Sequence, residues 1–243
     1  MKTVLHKANT RGHANHGWLD SHHTFSFAGY YDPTRIHFGA LRVLNDDIVK
    51  GGAGFGQHPH DNMEIVSIPL RGALEHGDNT GGHGIIKSGE VQIMSAGSGI
   101  AHSEKNASKT EDVNFLQIWV FPKEKNIEPR YDQKLFPAEE RINSFQTVVA
   151  PDKKNGALWI NQDAWFSLGK FSKGKTSEYV LNKSTSGVYV FVIEGEVTIN
   201  LPTGQAGDQK LNKRDGFGIW EVEKLSVSAD SDAEILLIEV PMN

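Results

Sequence analysis

The sequence contains no cysteine, which excludes disulfides, zinc–thiolate sites and thiol redox chemistry together. Any metal would have to be held by nitrogen and oxygen. It also lacks an apolar run approaching the roughly 18 to 20 residues of a membrane-spanning helix, and Met1-Lys2-Thr3-Val4-Leu5-His6 has no apolar core of the kind a secretory signal needs. A cytoplasmic protein with no membrane partner is therefore expected. Clustered positive charge is missing too. Lysine and arginine number 25 against 30 aspartates and glutamates, for a formal charge of -5, and basic runs do not exceed pairs such as Lys153-Lys154. A phosphate backbone needs a basic surface, so direct nucleic-acid binding is not expected.

What is present in excess is glycine, 25 residues, with 9 prolines. This favours many short strands joined by tight turns, an all-β chain, and a length of 243 residues allows one large β domain or two of ordinary size.

The 11 histidines are unevenly placed: all lie at or before His102. Two stretches stand out. Gly51-Gly52-Ala53-Gly54-Phe55-Gly56 leads into His58-Pro59-His60, and Gly97-Ser98-Gly99 leads into His102-Ser103-Glu104. Side chains alternate faces along a strand, so His58 and His60 project together, as do His102 and Glu104. Adjacent strands carrying these pairs would bring three imidazoles and one carboxylate to one point, a set suited to a divalent transition metal with coordination positions left open. The glycines let the backbone bend sharply at the rim and deliver His58 inward. His13, His16, His22 and His23 sit in a glycine-containing loop without a carboxylate at strand spacing, and read as structural or surface residues, His23 being the one placed to approach a cavity. His76 and His83 flank the hairpin signal Gly77-Asp78-Asn79-Thr80-Gly81-Gly82 and are expected to be exposed.

In chain order, strands are expected over residues 3–8, 24–27, 38–44, 63–70, 90–94, 100–106 and 113–121, with Asn45-Asp46-Asp47 as a turn. Residues 122–137, with three prolines, read as the linker. The second half reads as a worn copy of the first. Val188–Glu194 mirrors Ile65–Leu70, Lys213–Trp220 mirrors Ile86–Ile93, and Glu234–Pro241 echoes Asn114–Pro122. Where a ligand pair should recur, the copy has Lys175-Thr176-Ser177-Glu178, so it cannot hold a metal in this way. Trp159, Trp165 and Phe166 there read as packing residues. The expected domains are 1–122, metal-binding; 123–137, linker; and 138–243, without ligands.

Gly52, His58-Pro59-His60 and Glu64, then Gly89, Ala96-Gly97, His102 and Asn106, resemble the two cupin motifs. Within the cupins, the chain most resembles the pirin family. The likeness lies in Arg11-Gly12, His16-Gly17-Trp18-Leu19-Asp20-Ser21, His23-Thr24-Phe25-Ser26-Phe27, Tyr31-Asp32-Pro33, His58-Pro59-His60 and Gly99-Ile100-Ala101-His102-Ser103-Glu104. The resemblance implies a bicupin of two tandem antiparallel jelly-roll β-barrels with few short helices. It also ranks Glu104 ahead of Glu64 as the carboxylate ligand beside His58, His60 and His102; a carboxylate beside the metal, Glu104 or else Glu64, would be the catalytic base. Ferrous iron is the ion it favours, although the ligands alone accept manganese, nickel, cobalt, copper or adventitious zinc. Pirin-like proteins of this type are similar to quercetin 2,3-dioxygenases, so the expected partners are a small aromatic chelating substrate and dioxygen, in a monomer. The alternative is a non-enzymatic, metal-dependent or redox-sensing regulator that binds a partner protein. Phe25, Phe27, Phe38, Phe55, Ile100 and Phe115 are the candidates for an apolar lining, which only the enzyme needs.

Overall fold

A computed structural model describes residues 1–153, 156–201 and 207–242. The described chain is built of antiparallel strands, with two short 3-10 turns, Ala8–Thr10 and Ala138–Arg141. It divides into two compact units. One is Gly12–Phe136 with Leu158–Gln162; the other is Met1–Arg11, Pro137–Ala157 and Asp163–Asn243.

The histidine-bearing unit stacks two sheets. The larger runs Arg130–Leu135, Glu90–Ser95, Glu64–Arg71, Val113–Val120, Leu41–Val49, Leu19–His23, Gly12–Asn15; the smaller runs Gly54–His60, Ile100–Asn106, Ala73–Asp78, His83–Lys87. Central strands such as Val113–Val120 are apolar on both faces because both are covered, whereas Leu19–His23 alternates buried and half-buried positions. Between the sheets Leu19, Val49, Val113 and Phe115 meet Leu74 and Ile86. Two and four residues beyond Leu74 the same strand carries His76 and Asp78. The interior therefore changes along the strands from an apolar plug to a polar chamber.

The second unit repeats this plan. Its smaller sheet is Thr176–Val180, Lys224–Ala229, Glu196–Asn200, Gln209–Asn212. Its larger sheet runs Lys2–His6, Gly216–Trp220, Ser186–Glu194, Ala233–Pro241, Trp165–Phe171, Phe145–Ala150. The correspondence holds strand by strand, Ser186–Glu194 taking the place of Glu64–Arg71 and Ala233–Pro241 that of Val113–Val120. One edge strand of each large sheet comes from far along the chain: Lys2–His6 pairs with Gly216–Trp220, and Arg130–Leu135, within the proline-rich stretch, pairs with Glu90–Ser95. Between its sheets lies an apolar cluster including Val188, Val190, Phe217, Ile235 and Leu237 with Val197, Leu211, Leu225 and Val227.

The expectation of closed jelly-roll barrels does not hold. Each sheet is open, with two ends to its order of hydrogen-bonded neighbours, and among the described residues no strand ladder joins a small sheet to a large one. Closure requires edge strands that can continue the ladder. Here Gly12–Asn15 has only four residues, and the edge strand Gly54–His60 is interrupted by a bulge and contains Pro59, which has no N–H. Inward alternation, the pattern that suggested barrels, serves a two-sheet sandwich equally well.

Two local expectations also change. Asn45, Asp46 and Asp47 are not a turn but the buried middle of the strand Leu41–Val49. The two carboxylates are met within the fold, Ser21 Oγ donating to Asp47 and Asn114 Nδ2 donating to Asp46 at 2.8 Å. Residues 24–27 form no strand. They run as a loop closed by an isolated Phe27–Tyr30 bridge, with Phe25 buried.

Candidate metal centre

Gly54–His60 and Ile100–Asn106 pair antiparallel with Ile100 opposite His60 and His102 opposite His58. Directly opposed residues share a face, so the three imidazoles gather on the inner side of the small sheet. Past His102 the register slips, and Glu104 comes to face Phe55. The strands approach closely at this bulge. A Cβ on Gly54 would lie 2.5 Å from Lys105 Cα and 2.7 Å from the Glu104 carbonyl oxygen, so a side chain there would force the strands apart. The bulge also aims a ligand. His58 Nδ1 lies 2.8 Å from the Gly56 carbonyl oxygen, which can only accept, so the ring carries its proton on Nδ1 and presents Nε2 as a lone pair.

Ring centroids are 4.4 Å apart for His58 and His102, and 4.9 Å for both His58–His60 and His60–His102. One nitrogen from each of the three lies within 4.8 Å of the others. Burial, reinforced by the neighbouring imidazoles, pulls His60 down to about 4 and His102 to about 3, so both are neutral at ordinary pH. His102 is 1% exposed, and neither of its ring nitrogens has a hydrogen-bond partner. At least one of them must carry a lone pair with nothing to receive. Leaving such a group unpaired in the interior is costly, and a divalent cation answers it. The donor set fits a transition metal.

Glu104 is buried beside this set, held by its own network. Ser67 Oγ lies 3.0 Å from Oε1 and 2.9 Å from Gln117 Oε1, while Gln117 Nε2 donates to Oε2 at 2.5 Å. A hydroxyl has one proton to give. Ser67 Oγ therefore donates to Glu104 or to Gln117, one at a time. Burial raises the Glu104 pKa. Glu64 is also fully buried and is pushed up to about 7 by burial, but its Oε2 accepts from Ser95 Oγ at 2.8 Å and Asn161 N at 3.1 Å, and it does not line the cavity.

His76, expected on the surface, is completely buried. It lies opposite Glu104 on the neighbouring strand, its centroid 5.4 Å from that of His102, its ring stacked on Tyr131 at 4.4 Å. Its Nε2 lies 2.9 Å from Asp78 Oδ2, and Asp78 Oδ1 accepts from Thr80 N, Thr80 Oγ1 and Gly82 N. Burial alone would raise the Asp78 pKa; these hydrogen bonds lower it on balance. The hairpin was legible, but the inward parity of His76, two residues beyond Leu74, is what decides its place. His83 is exposed as expected.

His58 and His60 open into a cavity of about 860 Å³, lined beside them by Glu104 and Gln117 and elsewhere by Trp18, Leu19, Phe27, Tyr30, Phe55 and Trp119. Trp119 stands edge-on to His60 at 4.9 Å and to Phe27 at 5.3 Å. Of the six residues proposed as lining, Phe27 and Phe55 face this cavity, while Phe25, Phe38, Ile100 and Phe115 are buried core. Trp18 and Trp119 were missed. His23 does reach the wall, in a buried chain in which Ser21 Oγ contacts His23 Nε2 at 2.8 Å and bonds Asp47. Trp119 Nε1 is buried without a hydrogen-bond partner, a spare donor beside the cavity.

Comparison with known proteins agrees with this geometry. The pattern of the family described as Pirin matches residues 4–120, and that described as the quercetinase C-terminal cupin domain matches residues 147–240. A quercetin 2,3-dioxygenase of Escherichia coli K12 is 46% identical over 237 residues, covering 98% of both chains. A pirin-like protein of Caulobacter vibrioides is 40% identical over 229 residues, covering 94% of this chain and 95% of its own. Among solved structures, the bacterial pirin YhhW from Escherichia coli in complex with nickel(II) superposes with a TM-score of 0.91 at 45% identity, over 100% of each chain. A quercetin 2,3-dioxygenase from Acinetobacter baumannii, at 21% identity and a TM-score of 0.74, covers 100% of this chain and 87% of its own and shares the fold.

Proposed function

The chain belongs to the pirin family of the cupin superfamily, and we propose that it is a metal-dependent dioxygenase opening the ring of a chelating flavonol-like substrate such as quercetin. The observation that carries this reading is the convergence of His58, His60 and His102, the first two lining an aromatic cavity and the third buried with both ring nitrogens unpartnered. The family relation extends the reading to dioxygen and a flavonol, because the similar Escherichia coli protein bears that activity in its name.

His58, His60 and His102 would hold the ion, with Glu104 as the fourth ligand and ferrous iron as the ion we favour. A divalent ion so held supplies Lewis acidity to the 3-hydroxyl and 4-keto oxygens of a flavonol, making the hydroxyl a stronger acid. The protein does the rest. A positive charge beside Glu104 favours its carboxylate over the protonated form, and the freed carboxylate accepts the hydroxyl proton, Ser67 and Gln117 keeping it in place. Trp18, Phe27, Phe55 and Trp119 offer flat apolar surfaces to a fused aromatic ring, and the Trp119 N–H offers a donor to one of its oxygens. The cavity is within the roughly 300–1,000 Å³ of ordinary small-molecule sites.

The test is oxygen uptake. Protein purified without oxygen and loaded with iron or manganese should consume dioxygen on adding quercetin, with bleaching of the flavonol absorbance. His58→Ala, His60→Ala and His102→Ala should each abolish both. Glu104→Gln should lose turnover by about 100-fold or more while losing less of its metal, as expected for a missing base. Loaded wild-type protein that binds quercetin and takes up no oxygen would reject the proposal.

A further inference from the structure

We propose that the hairpin formed by Gly12–Asn15 and Leu19–His23 carries a second transition-metal site, made by His13, Asp20 and His22 and separate from the three-histidine centre.

The register explains why the sequence hides it. His13 pairs directly with His22 and Asn15 with Asp20, so three side chains that look scattered along the chain share one face. The opposite face carries the buried Gly12, Ser21 and His23. Directly opposed residues on antiparallel strands hold their Cβ atoms about 4.5–5.5 Å apart, a spacing from which two imidazoles can chelate one ion. Here the rings already lie nearly parallel, 19° apart, with centroids at 4.5 Å. His13 Nε2 is 2.6 Å from Asp20 Oδ1, and His22 Nδ1 is 3.9 Å from the same oxygen. One donor atom from each residue lies within 4.8 Å of the others. Asp46 adds to the case. It is the residue opposite His22 on the next strand, on the same face and buried, and places a further carboxylate behind the pair.

Two imidazoles and a carboxylate select zinc, nickel or copper(II) over magnesium or calcium, which take oxygen donors. The site is half-exposed and offers three protein ligands, so its ion should be held more weakly than at the buried centre and exchange more readily. Its position gives it a consequence. His13 is also among the residues that line the cavity, so an ion held by its side chain places positive charge near that cavity.

Nickel(II) titration of the metal-stripped full chain, followed calorimetrically, tests the proposal. Wild-type protein should bind two equivalents, the second more weakly. His22→Ala should lose the second and keep the first, and Asp20→Asn should weaken the second by about tenfold or more. His60→Ala should do the reverse, losing the first and keeping the second. A wild-type titration ending at one equivalent overturns the site, as does a second equivalent unchanged in His22→Ala. Stoichiometry is independent of turnover, so failure of the quercetin assay would leave this result standing.

Discussion

Protonation is the first thing that governs the three imidazoles, because each proton they accept must compete with the ion. His60 at about 4 and His102 at about 3 lie below the usual value of 6.5, chiefly through burial. The sign follows directly. Between about pH 4 and 6.5 the unfolded chain binds protons that the folded chain refuses, so the metal-free fold should lose stability as pH falls through that window. The same neutrality keeps His60 and His102 available to metal. Loaded protein should therefore retain its ion at pH 5, where ordinary histidines are largely protonated, and release it as pH approaches 4. Metal analysis after dialysis at stepped pH, alongside urea midpoints of the metal-free form, measures both; release complete by pH 6 would contradict this account. Much of this was readable in advance. Parity put His58, His60, His102 and Glu104 on one side, and the structure gathers one donor atom from each of the three histidines. Parity did not reveal His76, because residues beside a turn look exposed until their strand is paired with Ile100–Asn106, nor the Asp20 partner of His13 and His22, which depends on hairpin register.

Glycine at position 54 is what lets two strands deliver ligands at one bulge. The neighbouring Gly56 supplies an internal control, since a Cβ there meets nothing within 4 Å, whereas one at Gly54 would press on the backbone of Glu104 and Lys105. Gly54→Ala should cost about 1–3 kcal/mol of stability, as overpacking does, and weaken metal binding by separating Gly54–His60 from Ile100–Asn106. Gly56→Ala should leave both close to wild type. Equal urea midpoints for the two variants would show that the close approach does not matter. Elements built on nearly continuous apolar runs, such as Glu64–Arg71 and Val113–Val120, were legible to within a residue or two. Leu41–Val49 was not. Its Asn45-Asp46-Asp47 run carries turn composition, and the donors that hold the two carboxylates inside the sheet, Ser21 and Asn114, come from other strands.

The duplication was visible along the whole chain because inward alternation and glycine spacing survive divergence, and the structure bears it out in matching strand orders. What could not be read was how each sheet ends. Openness depends on a bulge, on Pro59 and on the short Gly12–Asn15 strand, and the edge strands Lys2–His6 and Arg130–Leu135 are joined by long-range pairing that leaves no local mark. The copies also differ in chemistry. At the positions matching His58 and His60, the second unit has residues of Thr176–Val180, paired with Ser226, Val227 and Ser228. The tight site should therefore be single, and its make-up can be measured. X-ray absorption on protein loaded with one equivalent of ferrous iron should show three imidazoles on the ion, with His60→Ala showing fewer or failing to hold iron. Fewer than three in the wild type, or an unchanged spectrum in His60→Ala, would contradict the assignment of His58, His60 and His102 to the metal.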